Sequence, residues 1–326
     1  MSLKIIKAGL LDTIQDTGRY GYQHQGINPG GAMDRYSASL ANALLGKALP
    51  SPVIEMHFPA AQILFERPCV ICLTGADFTP LINSKEAPLH QPIAVRENMV
   101  LSFGGRRNGA RCYLSVLNEL QIEPWLNSYS TNLKAGAGGY KGRRLATGDE
   151  ISFESIDLTL KDDFIALPWS YHLPYMATNE VQFIPGQEWN WLTTKSQTAF
   201  LNNGFTISPA SDRMGYCLQG EYLEQNRKEQ LISSAVSFGT VQLLPTGQVI
   251  ILMADHQTTG GYPRIANIIS VDLPKLAQMS PNSVVKFTMT NIETAEEKMV
   301  AQQNYLYSLQ NTCNLKMQKW LDAHRY

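Results

Sequence analysis

Val249-Ile-Ile-Leu-Met253, followed at once by Asp255-His-Gln-Thr-Thr-Gly-Gly-Tyr262, sets the pattern for the chain. The first part is a short apolar run rich in branched residues. It is too short for a helix and suits a buried strand. The second part is a polar, glycine-bearing loop at the strand's end. Working outward, the same alternation of strand and turn recurs. Val70-Ile-Cys-Leu73, Val100-Leu-Ser-Phe103, Ala110-Arg-Cys-Tyr-Leu-Ser-Val116 and Glu180-Val-Gln-Phe-Ile184 all read as strands. One local pattern repeats: Asn98-Met-Val-Leu-Ser-Phe103, Gly148-Asp-Glu-Ile-Ser-Phe153 and Asn282-Ser-Val-Val-Lys-Phe287. Each is a turn residue followed by a strand ending in Phe. Many short strands at such spacing predict a mainly β fold of barrel or sandwich type.

Two segments break the strand rhythm. Met33, Tyr36, Leu40 and Leu44 fall at helical spacing and Gly46 follows as a stop, which predicts a helix over 33–45. After Phe287 the tail also reads as helical. Thr290-Asn-Ile-Glu293 fits a capping box, and Ile292, Met299, Leu306 and Leu309 supply an apolar stripe. A chain of 326 residues, 44% hydrophobic, predicts two domains. The boundary is expected within 155–180, where Lys161-Asp-Asp163 and Leu167-Pro-Trp-Ser-Tyr-His-Leu-Pro174 interrupt the strands. Pro29-Gly-Gly-Ala-Met-Asp-Arg-Tyr36 and Pro209-Ala-Ser-Asp-Arg-Met-Gly-Tyr216 echo each other, which suggests two related halves.

The formal net charge of -1 argues against nucleic acid as a partner. No apolar run approaches the ~18–20 residues of a membrane span, and Lys7 and Asp12 interrupt any signal-peptide core. The cytoplasm is therefore the expected compartment. Five cysteines, an odd number at wide spacing, do not form a disulfide framework. Cys69 and Cys72 lie three apart in a strand, so they point to opposite faces and cannot share a metal. No metal-ligand spacing of histidines occurs, and no Walker A, GxGxxG or Gly-x-Ser-x-Gly motif.

Four stretches could carry chemistry. In the 255–262 loop, paired glycines permit close backbone approach and two threonines add hydroxyls that suit an anion. The same composition would serve a surface turn. Leu11-Asp-Thr-Ile-Gln-Asp-Thr-Gly-Arg-Tyr-Gly21 gathers Gln15, Asp16 and Arg19 around glycines, and the arginine could fork a carboxylate. Ser211-Asp-Arg-Met-Gly215 and Asp34-Arg35 each put an acid beside an arginine, which also suits an ion pair bracing a turn.

Taken in order, Thr13-Ile-Gln-Asp-Thr-Gly-Arg19, Gly31-Ala-Met-Asp-Arg35, Leu73-Thr-Gly-Ala-Asp77, Ser211-Asp-Arg-Met-Gly-Tyr216 and Asp255-His-Gln-Thr-Thr-Gly-Gly-Tyr-Pro-Arg264 resemble one family. It is the allophanate hydrolase subunit 2 family, also called the 5-oxoprolinase C-subunit or biotin-dependent carboxyltransferase family. The resemblance runs from Ile5 to about Phe287. It implies a cyclophilin-like β-barrel, expected over 166–290, after an N-terminal β domain over 1–165 and before a helical tail over 291–326. It implies a hetero-oligomer with a B-like partner protein, with an A-like protein as a third component, and no activity of the isolated chain. The implied reaction is ATP-driven opening of the lactam of 5-oxo-L-proline to L-glutamate, with ATP and Mg belonging to the complex. Two other roles occur among relatives: antagonist of a histidine-kinase inhibitor, and carboxyltransferase component of a urea-type carboxylase. No Ala-Met-Lys-Met biotinylation site is present, so this chain carries no covalent biotin.

On that resemblance the candidate catalytic residues are Asp16, Asp34, Asp212 and Asp255. The candidate substrate-binding residues are Gln15, Arg19, Arg35, Arg213, Gln257, Thr258, Thr259, Gly260, Gly261 and Tyr262, with no metal ligand. The chain departs from the family pattern at several places. Asn118-Glu119 stands where Gly-Gly is common, Asn127 and Tyr129 where Gly and Arg are usual, and Cys217 and His256 where Arg is usual. Ser233-Ser-Ala-Val236 replaces a common Ser-Glu-Gly-Val.

Overall fold

The computed structural model describes residues 2–154, 156, 158–172, 178–227 and 229–324. The chain divides into two compact units. The first takes Met1–Gly18, Asp34–Pro174 and Gln303–Tyr326; the second takes Arg19–Met33 and Tyr175–Gln302. This division is not sequential as the sequence suggests: Arg19–Met33 joins the second unit, and the tail is shared between both. Residues 155, 157 and 173–177 of the expected linker lie outside the described residues.

In the first unit the strands are β1 (Ser2–Lys7), β2 (Thr13–Gln15), β3 (Val53–His57), β4 (Gln62–Phe65), β5 (Cys69–Asp77), β6 (Pro80–Ile82), β7 (Lys85–Glu86), β8 (Pro92–Val95), β9 (Met99–Phe103), β10 (Asn108–Val116), β11 (Glu150–Ser152) and β12 (Phe164–Ala166). They form two six-stranded sheets, ordered β11-β1-β4-β9-β6-β7 and β12-β8-β5-β10-β3-β2. Leu3, Ile63 and Leu101 of one sheet and Ile54, Leu73 and Leu114 of the other belong to one buried cluster. Alternation along each strand sends one face into that cluster.

Helix α1 (Arg35–Leu44) packs on β5 and β10. Asp34 caps it, its Oδ1 accepting from Ser37 N at 2.8 Å. Gly46 ends it at φ 72°, and a Cβ there would lie 2.5 Å from Asn314 Cα, so the stop and the close approach both need glycine.

The second unit holds α2 (Thr194–Asn202), α3 (Leu273–Gln278) and strands β13 (Glu180–Pro185), β14 (Phe205–Ile207), β15 (Gly215–Gln219), β16 (Ser234–Ala235), β17 (Thr240–Leu243), β18 (Val249–Leu252), β19 (Thr259–Gly260), β20 (Arg264–Ile268) and β21 (Val284–Met289). Seven of them close a barrel in the order β13-β20-β17-β18-β15-β14-β21, while β16 and β19 pair by themselves. The barrel closes through a parallel pair, Val181 opposite Phe287. Phe183, Phe200, Phe205 and Phe287 fill its core, with Phe200 and Phe287 stacked at 4.4 Å. The fold is thus mainly β with a closed barrel.

Helix α4 runs Ile292–His324. Asn291, not Thr290, caps it: Asn291 Oδ1 accepts from Thr294 N at 2.8 Å. Its buried positions are Leu306, Cys313 and Met317. Ile292 and Met299 of the expected stripe are 55% and 42% exposed, so only the C-terminal part of the helix is packed on its apolar face.

Candidate functional site

The candidate residues fall into two groups, one in each unit. In the first unit, β2 carries Gln15 and delivers Asp16 to the segment 128–131. Asp16 is buried, and its carboxylate is saturated with donors. Oδ1 accepts from Gly18 N and Ser128 Oγ, both at 2.8 Å, and from Ser130 Oγ; Oδ2 accepts from Tyr129 N at 2.6 Å. Gln15 Nε2 donates to Thr13 Oγ1 at 3.0 Å. Its Oε1 is buried without a partner among the described residues. Leu126 and Asn127, at φ 50° and 59°, turn the chain into this segment. Asn tolerates that conformation, which explains how it stands in for the usual glycine. Tyr129 supplies its backbone N–H to Asp16 whatever its side chain.

Asp34 belongs to a second buried network in the same unit. Its Oδ2 accepts from Ser37 Oγ at 2.6 Å and its N–H donates to Tyr113 Oη at 2.8 Å. Tyr113 Oη donates in turn to Glu55 Oε2 at 2.8 Å. Burial, together with the Glu55 and Asp34 carboxylates, pushes the Tyr113 phenol far above its ordinary range, so it stays a neutral donor. Arg35 opens α1 and is partly buried. Glu55 was not singled out in the sequence. The available signal was an acid at an inward position of the apolar run Val53-Ile-Glu-Met56.

In the second unit, β15 and β18 pair, and their ends bring Arg213 to Asp255. Arg213 Nε donates to Asp255 Oδ2 at 2.8 Å and Nη2 to Oδ1 at 3.0 Å. Nη2 also donates to Gly31 O at 2.7 Å. This forked pair braces the Arg19–Met33 segment, where Arg19 is itself buried. Asp212 is exposed and makes a turn, its Oδ1 accepting from Met214 N at 2.7 Å and Gly215 N at 3.2 Å. The echo with Asp34 is therefore one of local chemistry: both aspartates accept the backbone N–H three residues on.

The loop after Asp255 folds back through β19, which pairs with β16: Thr259 lies opposite Ala235 and Gly260 opposite Ser234. Gln257, Thr259 and Tyr262 are exposed and Thr258 and Gly261 partly so. A Cβ on Gly260 would meet Gln242 Nε2 at 2.5 Å, so a side chain there would have to push that buried amide aside. His256 is buried, and its Nδ1 donates to Gln257 O at 2.5 Å. Arg264 closes the motif. Its Nε donates to Glu188 Oε2 at 3.1 Å, and its Nη2 donates to Glu188 Oε1 at 3.0 Å and to Gln187 Oε1 at 2.6 Å. Gln187 and Glu188 were not among the sequence candidates, and nothing in their local sequence marks them.

The carboxyltransferase domain model, subdomain A and B, matches residues 25–289. The chain belongs to this carboxyltransferase family. Within it, the chain is 36% identical over 294 residues to the 5-oxoprolinase C-subunit of Haemophilus influenzae, covering 90% of this chain and 93% of that one. It is 34% identical over 312 residues to the 5-oxoprolinase C-subunit of Escherichia coli, covering 94% and 97%. The fold of the crystallised Kluyveromyces lactis urea carboxylase is similar, with a TM-score of 0.88 at 24% identity. That likeness covers 96% of this chain and 29% of the longer one.

Two departures from the family's arginines can be weighed physically. Cys217, partly buried on β15, has its thiol pushed up by burial, with the Asp212 charge acting the same way, so it supplies no charge at neutral pH. His256 offers a ring whose Nδ1 is already committed to a backbone carbonyl. Neither position presents a forked cation. Among the described residues the arginines of the second unit's motifs that remain, Arg213 and Arg264, each hold a carboxylate of the same unit.

Proposed function

We propose that this chain is the C-subunit of an ATP-dependent 5-oxoprolinase complex, opening the lactam of 5-oxo-L-proline to L-glutamate together with B-like and A-like partner proteins. The observation that carries the reading is the near full-length match, at 36% and 34% identity, to two proteins named as 5-oxoprolinase C-subunits. The chemistry explains why partners and a nucleotide are needed. A five-membered lactam is a stable amide that water attacks poorly. Converting its carbonyl oxygen into a phosphorylated leaving group lowers that barrier, at the cost of a site that must stabilise developing negative charge.

Within this reading the four aspartates act as positioning residues. Asp16, Asp34, Asp212 and Asp255 are each engaged by N–H, hydroxyl or guanidinium donors, and so they hold loops in place. Gln15, Arg19, Arg35 and the Gln257–Tyr262 loop remain the substrate-facing candidates, while Arg213, forked onto Asp255, joins the aspartates as a positioning residue. Among the described residues no group of three or more His, Cys, Asp or Glu is placed to hold a metal ion. In this reading ATP and its magnesium belong to the complex. No described helix is long and apolar enough to cross a membrane. The cytoplasm, where ATP is available, is the proposed compartment.

The fold shared with urea carboxylase favours a second reading, the carboxyltransferase component of a biotin-dependent carboxylase. One assay separates the two. The chain, purified with its B-like and A-like partners, is given ATP with either 5-oxo-L-proline or urea plus a carboxybiotin carrier. The first reading expects glutamate and ADP only with 5-oxo-L-proline. Carboxyl transfer to urea without lactam opening would replace it with the second.

A further inference from the structure

Beside Arg264 the second unit contains a hollow of about 300 Å³, lined by Gln187, Ala235, Val236, Ser237, Thr240, Arg264 and Asn267. This is at the lower end of the ~300–1,000 Å³ usual for small-molecule sites. Its polar groups are sorted by what they already bind. Gln187 Oε1 accepts from Arg264 Nη2 at 2.6 Å, so the amide is turned with its NH2 away from the guanidinium. Asn267 Oδ1 accepts from Thr240 Oγ1 at 3.1 Å, which fixes that amide in the same sense. Arg264 keeps its Nε and Nη2 on Glu188 and Gln187, and Nη1 has no partner among the described residues. Three donor groups are left over: Gln187 Nε2, Asn267 Nδ2 and Arg264 Nη1.

The acceptors are accounted for in the same way. Both Glu188 oxygens take bonds from Arg264. Thr240 has one proton, and it goes to Asn267, so in the 3.1 Å contact between Ser237 Oγ and Thr240 Oγ1 the serine is the donor. Ser237 Oγ then keeps its lone pairs and can accept a further bond. Glu188 balances the charge of Arg264, so the hollow offers directed donors without a large net field. Ala235 and Val236 add an apolar wall.

We propose that this hollow is a binding site for a small planar molecule bearing carbonyl or carboxylate oxygens, held by Gln187, Arg264 and Asn267, with Ser237 accepting one N–H. The shared chemistry is the planar oxygen acceptor, which a free carboxylate or a lactam can each provide. Its expected ligand rests on the oxoprolinase reading, but binding is measured on this chain without partners or turnover, so the two can fail separately.

Side-chain amide NMR signals of Gln187 and Asn267 in the full chain report on it directly. Three probes are titrated separately: sodium acetate, 2-pyrrolidinone and 5-oxo-L-proline, with sodium chloride as the ionic control. Saturable shifts of both signals are expected with 5-oxo-L-proline, which carries both groups. Saturation by acetate alone assigns the source as carboxylate, and by pyrrolidinone alone as lactam. Asn267→Asp keeps the acceptor for Thr240 and replaces the donor by an anion; Gln187→Glu does the same at an exposed position. Each should weaken binding at least tenfold with thermal unfolding unchanged. No saturable shift with any probe, or unchanged affinity in both variants, would overturn the proposal.

Discussion

Two sets of carboxylates, one in each unit, are held by different means, although the first unit also has a forked pair, Asp149 with Arg143. In the first, Asp12 and Asp16 are held by neutral donors. Asp12 accepts from His57 N at 3.1 Å and Ala61 N at 2.7 Å, and Asp16 accepts from backbone N–H groups and two serine hydroxyls. In the second, Asp255 and Glu188 are each forked by an arginine. The difference decides what removing a carboxyl group leaves behind. Losing a carboxylate held by neutral donors strands several N–H and O–H groups. Losing one held by arginine strands a cation, which costs more when that cation is buried.

Asp255→Ala should therefore have the largest effect. Arg213 is only 6% exposed and would lose both carboxylate bonds, a destabilisation of about 3–5 kcal/mol in urea unfolding. Pairing that change with Arg213→Met should recover more than half of the loss, because the stranded charge is then gone. A double variant no more stable than Asp255→Ala alone would show that the stranded Arg213 charge is not the cause. Asp16→Ala comes next, at about 3 kcal/mol, since it strands Ser128, Ser130, Tyr129 and Gly18 donors without stranding a cation. Asp16→Asn should retain part of that loss and show no dependence on any arginine substitution.

Asp12 sharpens the contrast through pH. Burial is the main cause that raises its carboxyl from 3.8 to about 7, opposed by the His57 and Ala61 N–H groups. The folded state thus holds a proton that the unfolded state releases near pH 4. Its stabilising contribution is complete below that point and is lost as pH rises toward about 7. Asp12→Asn should flatten this part of the stability profile, read as urea midpoints from pH 4 to 8. A wild-type profile that is flat or rises over the same window would count against the assignment. The smallest expected effect is at the start of α4. Asn291→Ala should cost about 0.5–1 kcal/mol and Thr290→Ala a few tenths, reversing the order that the sequence motif implies.

Much of the fold could be read from local rules. The three turn residues Asn98, Gly148 and Asn282 all have left-handed backbone, at φ 61°, 90° and 69°, as a tight turn before each strand requires. Helix α1 lies within its expected span because its spacing, its Asp34 cap and its Gly46 stop agree. What could not be read was pairing. Glu55 meets Tyr113 only because β3 and β10 run antiparallel with those two residues opposite, and no local pattern sets that register. The same holds for Arg264 with Glu188, which are 76 residues apart. Strand order likewise follows from closure of the barrel by a parallel pair, a long-range event. The capping box misled by one residue, because Asn and Thr both suit the cap and only the backbone decides between them.

In the proposed function this chain is an indispensable component of a lactam-opening complex. The most direct measurement is glutamate formed from 5-oxo-L-proline and ATP by the B-like and A-like partners, with and without this chain. This role predicts glutamate and ADP in equal amounts with the chain present, and neither above background when it is omitted. Equal glutamate formation without the chain would contradict it.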